Sequence, residues 1–123
     1  MKLAELQALT VAELVTRFGA IAIDQDKAIF DDNNRKYNRL FDQMQAVKDE
    51  LKSRGGDQRR ALVTLLEHPN FQVRLQAARA TLAVAPEQSR RVIEAIAASR
   101  HFPQAGDAGM CLWALDQGIF VPK

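Results

Sequence analysis

The stretch His68-Pro-Asn-Phe-Gln-Val-Arg-Leu-Gln-Ala-Ala-Arg-Ala-Thr-Leu82 constrains the fold more than any other part of the chain. Pro69 sits near a helix entrance, where a missing N–H leaves no intrahelical bond unmade. Val73, Ala77 and Leu82 then form most of one helical stripe. The small Ala77-Ala78 pair lets a neighbouring helix approach closely. A single helix pair of this kind does not bury its own face, so the segment argues for a stack of helical repeats.

The rest of the chain reads the same way. Thr10-Val-Ala-Glu13 is a capping box that opens a helix running from about Val11 to the late twenties. Val11, Leu14, Val15, Phe18, Ile21 and Ala22 recur along it at helical spacing. Asp31-Asp32-Asn33-Asn34 interrupts the pattern, because short Asx side chains favour turns and caps. A second helix is predicted from about Arg35 to Ser53, with Tyr37, Leu40, Phe41, Met44, Val47 and Leu51 on one stripe. Gly55-Gly56 ends it. Asp57 is placed as the cap of a third helix containing Ala61, Leu62, Leu65 and Leu66, and His68-Pro69 separates that helix from the fourth. Pro86 begins a fifth, with Val92, Ile93, Ile96 and Ala97 inside. The sixth is placed from about Asp107 to Asp116, with Met110, Cys111, Trp113, Ala114 and Leu115 largely inside. Gly118 ends it.

These elements group into a single domain: an N-terminal capping helix pair over residues 10–54, a first repeat over 57–85, a second over 86–118, and an apolar tail over 119–123 that folds back on the last repeat. The repeat length of ~31–34 residues is shorter than the common HEAT period of ~40–47. The expected fold is all-α: a HEAT/armadillo-like right-handed α-α superhelix of about six helices.

Composition excludes several classes. No run approaches the ~20 apolar residues needed to span a membrane. Met1-Lys2-Leu3-Ala4-Glu5-Leu6 lacks the apolar core of a secretory signal. One cysteine, Cys111, makes no internal disulfide, and its neighbours Met110, Leu112 and Trp113 point to burial. A cytoplasmic setting is the expectation. The net charge of +2 divides as −1 over residues 1–57 (10 acids, 9 bases) and +3 over residues 58–123 (5 acids, 8 bases). That asymmetry is too small to imply nucleic acid by itself.

From Lys36-Tyr-Asn-Arg-Leu-Phe-Asp42 through Gly56-Asp-Gln-Arg-Arg-Ala61 and Val73-Arg-Leu-Gln-Ala-Ala78 to Phe102-Pro-Gln-Ala-Gly-Asp-Ala-Gly-Met110, the chain resembles a bacterial family known only as domain of unknown function number two thousand and nineteen. The resemblance spans nearly the whole chain. It implies a small HEAT-like helical protein, and some such proteins are suspected of being immunity proteins against bacterial toxins. It supplies no catalytic residues. The second repeat departs from the HEAT pattern, with Gly106-Asp107 where the first has Val73-Arg74.

The chain carries no phosphate loop, nucleophile elbow or dinucleotide fingerprint, and no cofactor is expected. His68 and His101 flank prolines at matching repeat positions without metal-ligand spacing and are read as interhelical caps. Asp24, Asp26, Asp31 and Asp32 do not match a calcium loop. Cys111 lies in an apolar run, which suits an inert thiol better than a nucleophile. Gly106-Asp107-Ala108-Gly109 suits a close approach between helices better than a phosphate cradle.

The basic residues offer one candidate surface. Arg59-Arg60 and Arg90-Arg91 are 31 residues apart near the starts of equivalent helices, with Arg79 on the helix between. Aligned, they could line one edge of the stack and bind phosphates, although no aromatics alternate with them. Arg74 and Asp107 lie 33 residues apart at the starts of equivalent second helices and are predicted to pair between repeats. The functional expectation is a non-enzymatic protein-protein interaction module, with a bacterial toxin as the partner the resemblance suggests. A nucleic-acid-binding protein is the alternative.

Overall fold

The computed structural model describes residues 2–123, which form six α-helices and one 3-10 helix, with no strand among them. The helices are α1 (Leu3–Gln7), α2 (Val11–Phe30), α3 (Asn34–Ser53), α4 (Phe71–Thr81), α5 (Pro86–Ala98) and α6 (Gln104–Asp116). The 3-10 helix, Gln58–Glu67, lies between α3 and α4. Two compact units result, Met1–Ala61 and Leu62–Lys123.

In the first unit α2 and α3 pack along one another, and α1 lies against α3. Both halves of the expected capping box form: Glu13 N donates to Thr10 Oγ1 at 3.1 Å, and Thr10 N donates to Glu13 Oε1 at 2.9 Å. Those bonds from Thr10 hold the Glu13 carboxyl below the usual range. Leu14, Phe18, Ile21 and Ala22 of α2 are buried, as are Leu40, Met44, Val47 and Leu51 of α3. Asp32, at φ 54, turns the chain between the helices, and Asn33 caps α3 by accepting from Lys36 N. The short helix α1 has no counterpart in the sequence reading. It is tied down by Arg54, whose guanidinium bonds Glu50 at 2.9 Å and the Leu6 carbonyl at 3.1 Å.

The third helix differs in kind from expectation. Gln58–Glu67 winds as a 3-10 helix, although Leu62 and Leu66 are buried as the apolar spacing requires. Asp57 does not cap an α-helix there. It sits at φ 52, in the left-handed region, and its carboxylate holds Arg59.

In the second unit α5 packs against both α4 and α6, and α4 also touches α6. The cap of α4 is Asn70, whose side chain accepts from Gln72 N and Val73 N. His68 reinforces it, with Nδ1 accepting from Asn70 N at 3.0 Å. Val73, Ala77 and Ala78 are wholly buried and Leu82 nearly so, which confirms the stripe. Helix α6 starts three residues earlier than predicted, with Pro103 at its N-cap after a cis Phe102–Pro103 bond. Its inner face also differs from the expected one. Gln104, Ala105, Ala108 and Cys111 are buried, while Met110 and Trp113 face out at 64% and 52% exposure. This corrects the expectation that Met110 and Trp113 lie inside. The tail returns in part: Ile119 and Phe120 N–H groups both donate to the Ala114 carbonyl, yet Ile119 and Val121 stay exposed.

Candidate functional site

The candidate arginine row does not form a uniform surface. Arg59 is 5% exposed, and its Nη2 sits 2.6 Å from Asp57 Oδ2. The side-chain bonds hold the Asp57 carboxyl low and the Arg59 guanidinium high. Arg59 is therefore a buried structural cation, not part of a binding face. The left-handed turn at Asp57 brings a carboxylate two residues away into bidentate reach. Arg90 bonds Glu94 on its own helix and Asp116 on α6 at 3.0 Å, so its charge is locally matched. Arg60, Arg79 and Arg91 are exposed and form no salt bridge among the described residues; Arg60 lies in the first unit, Arg79 and Arg91 in the second.

Arg74 and Asp107 do not pair. The Arg74 guanidinium lies 4.3 Å from the centre of the Phe71 ring, a cation–π contact on its own helix. Desolvation raises the Asp107 carboxyl above its usual range, and the cation that opposes this is Arg79. Arg74 and Arg79 are five residues apart, about 140° around the helix axis. A carboxylate turned toward one is turned away from the other. The tie between α4 and α6 instead comes from neutral groups: Gln104 Nε2 donates to Gln72 Oε1 at 2.9 Å, fully buried. Gln72 lies near the start of α4 and Gln104 opens α6.

The site that stands out lies along α6. A shallow groove of about 360 Å³ is lined by Arg79 from α4, by Asp107, Met110, Cys111, Trp113 and Ala114 from α6, and by Phe120 from the tail. Cys111 is the one buried residue of this lining. Burial pushes that thiol up from its ordinary value, with Arg79 and Arg90 opposing, so the neutral thiol prevails and a thiolate nucleophile is disfavoured. Among the described residues, no group of three His, Cys, Asp or Glu side chains could hold a metal ion. What the groove offers is an apolar and aromatic rim with the Arg79 guanidinium and the Asp107 carboxyl.

The sequence held a signal for this groove. Ala105 and Ala108 carry on α6 the same spacing of three as the buried Ala77 and Ala80 on α4. Reading the small residues rather than the large ones as the inner stripe puts Met110 and Trp113 outside.

A family model described as "Domain of unknown function (DUF2019)" matches residues 12–116. The chain belongs to this family. Among solved structures, the crystal structure of the protein RPA1889 from Rhodopseudomonas palustris CGA009 is similar to it at 53% identity, over 96% of this chain and 98% of that one, with a TM-score of 0.93. No curated protein matches. Family membership brings no catalytic residue with it, so the α6 groove stands on its own geometry. Among the described residues no helix is long and apolar enough to cross a membrane.

Proposed function

We propose that the chain is a non-enzymatic helical-repeat protein of the HEAT/armadillo-like kind that binds another protein through the α6 groove. The observation that carries this reading is the inversion of α6, which buries alanines and exposes Met110 and Trp113 beside Arg79. Exposed large apolar side chains gathered in one place mark interaction sites more often than chance. Trp, Met and Arg are also the residues enriched in interface cores and hot spots. The repeat reading is supported by α4 and α6, equivalent helices 33 residues apart and joined through Gln72 and Gln104. The role suggested by the resemblance, an immunity protein that covers a bacterial toxin, fits a groove with a binding composition and no catalytic set.

The nucleic-acid alternative loses its original support, since Arg59 is buried on Asp57 and Arg90 is held by Glu94 and Asp116.

The test is co-expression with the products of genes adjacent to this one, scored by growth and by co-purification. The wild-type chain is expected to protect against one of them and to co-purify with it. Trp113→Ser combined with Met110→Ser should abolish both while leaving the thermal melt unchanged. Protection retained by a folded double variant would refute the groove, and no protection by the wild type would refute the immunity role.

A further inference from the structure

A second patch in the Leu62–Lys123 unit lies at the corner between α5 and α6. His101 stacks on Phe71, ring centres 4.0 Å apart and planes 6° from parallel. Arg74 covers the same ring at 4.3 Å. Two groups that close to one ring centre would collide on a single face, so Phe71 is sandwiched between imidazole and guanidinium. Phe102 follows His101 directly and stands 69% exposed, its inner edge near the Gly106 backbone, where an added Cβ would meet the ring at 3.8 Å. Arg100 precedes His101 and is exposed. Among the described residues, neither Arg74 nor Arg100 nor His101 enters an ion pair, and the buried Nε–H of Arg74 makes no hydrogen bond.

Arg100 adds an argument from conformation. Its φ of 61 places it in the left-handed region, which disfavours every residue with a Cβ. Glycine would make the same turn without strain. Arg100 is the residue after the C-cap Ser99 of α5, where helices commonly end in this conformation and glycine is usual, so the arginine carries a modest backbone cost.

We propose that Arg100, His101, Phe102, Phe71 and Arg74 form a binding site for a phosphate-bearing nucleobase, with the base stacked on Phe102 and the phosphate between Arg74 and Arg100. Single-stranded nucleic acid is held by this combination elsewhere: aromatic faces for the bases, which tolerate any sequence, and arginines for the backbone. The site supplies the stacking platform that the expected arginine row lacked. It is distinct from the α6 groove and does not depend on the function proposed for it. The same chemistry reaches the site as a free nucleotide or as a strand.

The experiment is fluorescence anisotropy of the full chain with a labelled single-stranded oligothymidylate, competed by thymidine monophosphate, by inorganic phosphate and by an acidic peptide. Saturable binding is expected, weakening steeply as salt rises from about 50 to 200 mM. Phe102→Leu, which keeps an apolar side chain but removes the ring, should weaken binding about tenfold, with Phe102→Trp restoring it. Arg100→Gly should weaken binding while the thermal melt holds or rises, because the backbone strain is relieved. Trp113→Ser should change nothing. Competition by the mononucleotide at similar concentration identifies a nucleotide site, and a far tighter oligonucleotide identifies a strand; either upholds the proposal. Absence of saturable binding, unchanged affinity in both Phe102→Leu and Arg100→Gly, or equal competition by inorganic phosphate or the acidic peptide would overturn it.

Discussion

Replacing Gln72, Gln104 or both with methionine measures the contact between α4 and α6 directly. Both amides are buried and share a 2.9 Å bond. Methionine nearly matches glutamine in volume and length, so little cavity opens, and the loss is mainly polar. Gln72→Met removes the acceptor and leaves a buried N–H of Gln104 without that partner. A buried group stranded in this way costs about 1–3 kcal/mol. For a chain of this size the melting temperature should fall by roughly 4–12 °C. Gln104→Met strands the Gln72 carbonyl and should fall in the same range. Both glutamines take part in further interactions, so each single value contains more than this one bond. The cycle isolates it. In the double variant two thioethers replace two amides and no stranded pair remains, so the loss should be smaller than the sum by about 1 kcal/mol or more. Chemical denaturation of the four proteins, with a common slope, gives the coupling. Additivity within about 0.3–0.5 kcal/mol would refute the tie.

Ala78 is fully buried, so Ala78→Leu should destabilise by about 1–3 kcal/mol through overpacking, read from a urea titration. Asp57 has its carboxyl lowered by the Arg59 bond. The stability it lends is complete above its unfolded value near pH 4 and is lost as pH falls through the lower folded value. Asp57→Asn, which tolerates the left-handed backbone, should therefore flatten the acid limb of the stability–pH curve while lowering stability at neutral pH. Cys111, at 7% exposure and with its thiol pushed up by burial, should alkylate far more slowly in the native protein than in denaturant at pH 8. Equal rates would place the thiol at the surface.

What the sequence revealed and concealed follows one physical line. Helices α2 and α3 were legible to within a residue or so because their signals are local: the Thr10–Glu13 box, the Asn33 cap and long stripes at one period. The 3-10 winding of Gln58–Glu67 was not, since Leu62 and Leu66 satisfy either helix type over so short a run. Arg59 looked like a surface charge because nothing in composition announces the left-handed turn that folds Asp57 back onto it. Arg74 and Asp107 matched in sequence offset, but the phase of each helix decides which side chains meet. On α6 that phase was misread, because six consecutive apolar residues from Met110 to Leu115 give no clear stripe. The groove was hidden for the same reason.

The buried hydroxyls at the α4–α5 corner have an order to them. Thr81 Oγ1 donates its one proton to the Ala77 carbonyl at 2.8 Å, with Ala78 O at 3.3 Å as a weaker acceptor. Ser89 Oγ, 2.7 Å from Thr81 Oγ1, must then be the donor between the two hydroxyls. The protons run one way, from α5 into the last turn of α4. Two substitutions that look alike on paper are therefore unequal: alanine at Ser89 leaves every donor on Thr81 employed, whereas valine at Thr81 leaves the serine proton with nowhere to go.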